Sequence, residues 1–478
     1  MASVRGSYIN GQEVTADQTY PVTHKYTGAV LADVTEATPA LMDEAVRGAE
    51  DAFRHPLSVP QRVTILERAA EILGRDQERI ARLIAQEAGK PIKDARVEVQ
   101  RGQQTLRYSA VAARTLRGLE IPVRGNPGSE NRLAFTVRKP YGVVLAITPF
   151  NFPLNLVLHK VGPALAAGNT VVLKPAPATP LTALALAGVL AEAGLPPGYL
   201  QVVTGASPEV GARLVADPRV RLITFTGSAA VGQTIRAQAG LRPVLLELGN
   251  NSANIVHEDA DLDRAAKTLA IRAFGFAGQV CISVQRIYVH RAVYQPFLDR
   301  LTEAVSQLVV GDPEDEATDV GPMITEAAAE RAFDWYQESL RQGARAVIPG
   351  MREGSLVHPG LLVDVAPSMR VMAEEVFAPI AGVVPYDEFK QALAWANESR
   401  YGLQAGVFTH NLELAWQAVQ TLEVGGVILN DSSSYRADNM PYGGVKDSGI
   451  GREGPEFAIE EMTYPTVAVF NLPAGPAR

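Results

Sequence analysis

The sequence predicts an α/β protein built from two doubly wound units and a small β arm. Three observations lead there. Between 142 and 248, strand-like and helix-like segments alternate with short connections, and the strands are apolar almost throughout. A second alternating block follows from about 250 to 450. Two strand-like segments, one within 119–139 and the other TVAVFNL near the C-terminus, have no helix of their own to cover them. The chain has 478 residues, too many for one ordinary core, so two or three domains are expected.

Taken in order, the first 120 or so residues read as helix. Thr38-Pro39 opens one helix, with Leu41, Ala45, Val46, Ala49 and Phe53 on one face. Ser58 opens a second, and a third carries Ile80, Leu83 and Ile84 and stops near Gly89. LEIPV and RLAFTVRK then flank the turn-rich RGNPGSEN, which reads as a hairpin. GVVLAI, NTVVLK, LQVVTG, RLITFTG and PVLLELG are strands apolar enough to be buried on both faces, as in a parallel sheet. In the second block, NSANIVH, RIYVH and GGVILN alternate with helices near 265–276 and 294–308.

Composition narrows the function. Net charge is −8 with sequence pI near 5.6, which carries no nucleic-acid footprint. The N-terminus MASVRGSYINGQEV lacks the apolar core of a secretory signal, and no uninterrupted apolar run reaches membrane-spanning length. With a single cysteine, Cys281, no intrachain disulfide can form, which suits a cytoplasmic setting.

In open α/β sheets, ligands bind beyond the carboxyl ends of the strands. The polar residues there are Thr148, Asn151, Lys174, Thr226-Gly227-Ser228 and Glu247. Each has a plain and a functional reading. Cys281 in GQVC is either a small buried hydrophobe or a thiolate nucleophile. Glu247, ending an apolar strand, is either paired or a general base that activates water. Asn151 in PFNFP is either a turn former or an amide donor to an oxyanion. FTGSAAVG at 225–232 is not the G-x-G-x-x-G fingerprint, but it sits between strand and helix, where helix N-terminal amides receive phosphate.

Together these motifs, in this order, resemble the aldehyde dehydrogenase superfamily over nearly the whole chain. PFNFP is similar to the family's oxyanion motif (Asn151), KPAPATP to its adenosine-ribose lysine motif (Lys174), and FTGS to its pyrophosphate turn (Gly227, Ser228, Gly232). LELG is similar to the general-base motif (Glu247) and GQVC to the nucleophile motif (Cys281). EEVFAP is similar to the segment holding the nicotinamide ribose through Glu375 and flanking the ring with Phe377, and PYGGVKDSGIGRE to the C-terminal signature. Thr148 joins the cofactor set, and no metal is implied.

The resemblance implies an NAD(P)-binding domain at 1–121 and 141–248, a catalytic domain at 249–450, and an oligomerisation arm at 122–140 and 451–478 that builds a homodimer or homotetramer. It implies oxidation of an aldehyde to an acid through a thiohemiacetal and a thioester on Cys281, with water activated by Glu247. The sequence departs from the family in three places. Asn250 replaces the second glycine of ELGG, and Ala378 replaces the glycine of EEIFGP. Pro177 stands where NAD-preferring members often carry a ribose-binding glutamate, so NADP is expected to be tolerated beside NAD.

HKVGPALAAGN and NDSSSYRADNMPYGG resemble the branch of lactaldehyde, phosphonoacetaldehyde and non-phosphorylating glyceraldehyde-3-phosphate dehydrogenases. Arg107 and Arg436 fall near that branch's anion-binding arginines, and a guanidinium suits a carboxylate or phosphate, although each is also open to a structural reading. Val280, before the nucleophile, replaces an arginine frequent in phosphate binders. The expected substrate is a short polar aldehyde such as lactaldehyde, with succinic semialdehyde or glyceraldehyde-3-phosphate as alternatives. The competing classes are a non-catalytic relative that keeps the fold and a cofactor-free esterase.

Overall fold

Helices begin where the sequence supplies caps. In the computed structural model, which describes residues 3–473, the Thr38 hydroxyl accepts from the Leu41 amide at the start of Pro39–Phe53. Ser58 and Gln61 cap each other reciprocally at the start of Val59–Arg75. Gln77–Ala88 ends at Gly89, which takes φ +72°, a conformation that costs glycine little. Ile92–Thr115 follows as the longest helix.

The first sheet has eight strands. Its parallel centre runs Val244–Glu247, Val220–Thr226, Val143–Ile147, Thr170–Lys174 and Leu200–Val202. Chain order therefore reverses at Val143–Ile147, the point where such sheets open a crevice. Leu66, Leu73, Ile84 and Val157 pack one face, and Leu41, Val46, Val172 and Ile223 the other.

The second sheet has seven strands, in the order Arg345–Ile348, Gly360–Val363, Ile380–Tyr386, Val284–His290, Ser252–Val256, Gln404–Phe408 and Gly426–Leu429. All its pairings are parallel except the first. A third sheet joins the two strand-like segments to each other. Arg132–Pro140 pairs with Thr463–Asn471 through nine residues, and Glu120–Ile121 lies on its other side.

Several expectations need correction. The N-terminal stretch is not all helix, because Ser3–Arg5, Ser7–Ile9, Gln12–Val14, Thr19–Thr23 and Val30–Thr35 are strands. Ser7–Ile9 and Gln12–Val14 extend the first sheet in antiparallel fashion. Three-residue edge strands are too short to show a period of two, which is why the pattern hides them. The boundary at 450/451 also moves. Gly449–Ile450 pairs with Val244–Glu247 in the first sheet, and helix Pro455–Glu461 packs on Asn155–Ala167, so the arm proper begins at Thr463. At its other end the arm takes in Glu120–Ile121. Residues 474–478 of that stretch lie outside the described residues. Among the described residues, no helix is long and apolar enough to cross a membrane.

Candidate active site

The carboxyl edge of the first sheet carries unspent polar groups. The Oγ1 atoms of Thr148 and Thr226 are buried with no protein partner. A Cβ on Gly227 would sit 2.5 Å from the Phe225 ring, so that turn keeps its backbone bare. Ser228 then caps Ala229–Ala239, and a Cβ on Gly232 would lie 2.5 Å from Leu248, which brings this helix close to the sheet. Lys174 donates to the carbonyls of Pro175 and Gly205 at 3.3 and 3.2 Å, and burial brings its ammonium down to about 8.

On the facing block, Glu375 accepts from the Asn250 amide at 2.9 Å, and burial raises its carboxyl to about 7. A Cβ at Gly249 would come within 2.5 Å of that carboxylate. Phe377 has φ +51° and meets the Phe150 ring edge-on at 6.0 Å. Bare turn, helix N-terminus, buried amine, orphaned hydroxyls and ribose-sized acceptor form a set that fits a dinucleotide. The Asn250 side chain is spent inside the protein: it donates to Ser252 at 2.6 Å and accepts from the Leu403 amide at 3.4 Å.

Helix Leu262–Phe274 breaks before strand Val284–His290, and Cys281 lies in the break. Phe276, Ala277 and Gly278 all have positive φ, from +50° to +66°. A Cβ on Gly278 would sit 2.3 Å from the Ala378 carbonyl oxygen, so only glycine fits there. Two non-glycine residues in left-handed conformation store strain, which the surroundings must hold. Gln279 does part of this. Its side chain accepts from the Ile324 amide at 2.9 Å, and its carbonyl accepts from the Asn151 amide at 2.9 Å. Asn151 is thereby fixed beside the loop; it is 3% exposed and its other described contact is from the Phe152 amide.

The Cys281 sulfur is partly exposed and lies 3.0 Å from the Tyr442 hydroxyl. It lines a cavity of about 150 Å³ whose apolar wall includes Phe152, Phe276 and Val280 and whose polar wall includes Arg101, Arg272 and Arg436. Burial pushes the thiol up to about 12, against the pull of Tyr442 and Arg436, with Glu375 and Glu247 adding to the rise. The resting sulfur is therefore a thiol at neutral pH.

Glu247 ends its strand 5% exposed, and its Oε2 has no partner. Gly443, next to Tyr442, leaves room for it: a Cβ there would lie 2.9 Å from Oε1. Burial holds the Glu247 carboxyl well above its usual range, and the neighbouring Glu453 adds to this. Burial would raise Glu453 too, but Lys160 at 2.9 Å and Arg436 at 3.0 Å hold it below its ordinary value. Of two adjacent buried carboxyls, one is thus charged and the other protonated.

Arg436 lies in the cavity wall as the sequence suggested, stacked on the Tyr442 ring at 3.7 Å. Arg107 does not. It is exposed on helix Ile92–Thr115 and absent from the cavity wall. Six residues is about one and two-thirds turns, so Arg101 on the same helix faces the cavity instead. Asp438 holds Arg101 through two hydrogen bonds at 2.8 and 3.0 Å. Sequence reasoning missed Arg101, Lys160, Tyr442 and Glu453. The last two stand in PYGGVKDSGIGRE and Lys160 in HKVGPALAAGN, where a charge or hydroxyl inside an apolar run was the available signal. Among the described residues, no cluster could hold a metal ion.

Comparison with known proteins agrees in every region of the chain. The aldehyde dehydrogenase family profile matches residues 13–467. The 3-sulfolactaldehyde dehydrogenase of Priestia aryabhattai is 50% identical over 467 residues, covering 98% of each chain. The crystal structure of aldehyde dehydrogenase 21 from Physcomitrella patens, in complex with the reaction product succinate, superposes with a TM-score of 0.96 at 38% identity, covering 98% of each chain. The NADP-dependent glyceraldehyde-3-phosphate dehydrogenase of Bacillus halodurans, complexed with NADP, superposes with a TM-score of 0.95 at 36% identity, covering 99% of this chain and all of that one.

Proposed function

This chain belongs to the aldehyde dehydrogenase family and is an NAD(P)-dependent oxidoreductase; on that premise we propose that it oxidises a short, polar, singly anionic aldehyde to its acid through Cys281. The observation that carries the substrate reading is the cavity beside the sulfur, with three guanidinium groups in its wall. Arg101 and Arg436 are already paired with Asp438 and Glu453. Arg272, at the exposed rim, has no carboxylate within ion-pair distance among the described residues. The Asp94 carboxyl lines the same cavity and feels the Arg272 charge, so the wall offers one exposed, loosely balanced guanidinium, which suits a monoanion better than a phosphate dianion; Val280 adds no further charge.

A three-carbon 2-hydroxyaldehyde fits this reading. 3-Sulfolactaldehyde, the substrate named for the Priestia relative, comes first, and succinic semialdehyde, also a monoanion, second. Uncharged lactaldehyde and glyceraldehyde-3-phosphate follow.

In the mechanism, the Cys281 sulfur attacks the aldehyde carbon. The Asn151 amide and the backbone N–H of Cys281 receive the oxyanion, a contribution of about 2.7–4 kcal/mol per donor. When bound, the nicotinamide cofactor supplies the hydride acceptor. Thr148, Lys174, Gly227, Ser228 and Gly232 hold its nucleotide end, and Glu375 and Phe377 its nicotinamide end. Glu247 takes a proton from the water that cleaves the resulting thioester; it does so once deprotonated, while Lys160 and Arg436 balance Glu453. The single thiol also suits a cytoplasmic setting.

The same reading assigns residues 141–248 to the cofactor and 249–450 chiefly to catalysis, and makes the arm a homo-oligomer contact. Thr463–Asn471 pairs on one side only and exposes Val467, Val469 and Phe470. An unpaired apolar edge of that kind calls for a strand or surface from a second copy.

The deciding experiment is a matrix of NAD(P)H formation rates for 3-sulfolactaldehyde, lactaldehyde, succinic semialdehyde, glyceraldehyde-3-phosphate and benzaldehyde, each with NAD+ and NADP+. A clear preference for 3-sulfolactaldehyde and succinic semialdehyde is expected. A clear win for benzaldehyde would overturn the substrate reading, and no turnover with any aldehyde would leave a non-catalytic relative.

A further inference from the structure

Tyr442 has a role that the reaction scheme above leaves unassigned. Its hydroxyl lies 3.0 Å from the only sulfur nucleophile in the chain, and both side chains line the same cavity. Its ring is 2% exposed and is covered by the Arg436 guanidinium at 3.7 Å from the ring centre. Arg436 is in turn fixed by Glu453 at 3.0 Å. A phenol pinned in this way has little freedom to turn its hydroxyl elsewhere, and no other hydrogen bond to that oxygen exists among the described residues.

We propose that Tyr442 is a catalytic residue: its hydroxyl donates a hydrogen bond to the Cys281 thiolate and stabilises it until the sulfur bonds to the aldehyde carbon. The inference rests on Cys281 being the nucleophile of the reaction read above. The groups facing the sulfur are few. Tyr442 and Arg436 favour its charged form, while burial, Glu375 and Glu247 oppose it. The donor at 3.0 Å is the closest of the favourable groups, and the stacked guanidinium makes the phenol a better donor without touching the sulfur.

The proton balance is simple. The thiol proton leaves to solvent, the tyrosine O–H bond stays intact, and its hydrogen turns to the sulfur lone pair. When that electron pair forms the carbon–sulfur bond, the negative charge moves to the carbonyl oxygen and the Tyr442 contact weakens. The group therefore lowers the cost of making the nucleophile and gives up most of that contact as the product of attack forms.

Tyr442→Phe tests this, because it keeps the ring and the guanidinium stack and removes only the hydroxyl. The readout is the rate of Cys281 alkylation by iodoacetamide, from neutral to mildly alkaline pH, in the full-length enzyme with and without NADP+. Over that range the rate follows the thiolate fraction. Losing a charge-assisted hydrogen bond is expected to slow it about tenfold at each pH, an upward shift of about one pH unit. Thiolate absorbance in the ultraviolet gives the same shift independently, and an unchanged melting temperature shows that the fold is kept. An equal or faster alkylation rate in the variant would overturn the proposal. Since no aldehyde is present, that outcome is separable from failure of the nucleophile assignment, which instead predicts normal turnover in Cys281→Ala.

Discussion

At the scale of single residues, the site depends on carboxyls held away from their ordinary ionisation. Glu247 is raised by burial and by Glu453, so it is a base only where the pH is high enough to ionise it. A carboxyl whose folded value exceeds its unfolded one loses its stabilising proton as pH rises through the folded value. Thioester hydrolysis should therefore accelerate with pH while this group's contribution to stability declines. Glu247→Gln should leave a burst of NAD(P)H in stopped-flow absorbance but little steady turnover, and undiminished steady turnover would remove the base assignment. Cys281→Ala should lose both phases. Glu375 is raised to about 7, so KM for the cofactor should fall as pH rises across that value, and Glu375→Gln should flatten the dependence. Cys281, Glu247 and Asn151 were legible from where they stand at the ends of predicted strands and helices, and Glu375 only through the resemblance of EEVFAP to a family motif. Their ionisation was not legible, since it comes from neighbours far away in sequence, such as Glu453 beside Glu247.

At the scale of elements, strands and helices with strong caps or long apolar runs were readable from the chain. Thr38, Ser58 and the 142–248 alternation are examples. Ser3–Arg5, Ser7–Ile9 and Gln12–Val14 were not, because three residues carry no period. Helix faces also misled: Arg107 and Arg101 share a helix, and only the packed structure shows which side meets the cavity. Two elements are expected to respond sharply to substitution. Gly278→Ala adds a Cβ against the Ala378 carbonyl at a φ of +66°. It should distort the nucleophile loop and cost activity before the melting temperature falls much. Lys160 joins helix Asn155–Ala167 to Glu453 and is 1% exposed, so Lys160→Met leaves that buried carboxylate with Arg436 as its one remaining cationic partner. The expected cost is about 1–3 kcal/mol, read as a lowered denaturant midpoint.

At the scale of the whole molecule, two mostly parallel sheets are accompanied by a third, and the arm strand Thr463–Asn471 leaves one edge unpaired among the described residues. Val467→Glu together with Val469→Glu should leave the monomer folded and shift sedimentation toward smaller species, because both side chains are more than half exposed. An unchanged sedimentation coefficient would remove this edge from the interface. The pairing of Arg132–Pro140 with Thr463–Asn471 was half legible, since both segments lacked cover, yet nothing in either named the other.

The late part of the chain also returns to finish work begun much earlier. Gly449–Ile450 closes the first sheet, Tyr442 and Arg436 wall the cavity, and Glu453 sets the charge beside Glu247. During synthesis these residues leave the ribosome after the cores of both sheets. The nascent enzyme thus carries its sulfur and its cofactor crevice for some time without that wall, with Lys160 and Arg101 still lacking Glu453 and Asp438, and a chain released before residue 434 should be inert toward aldehyde.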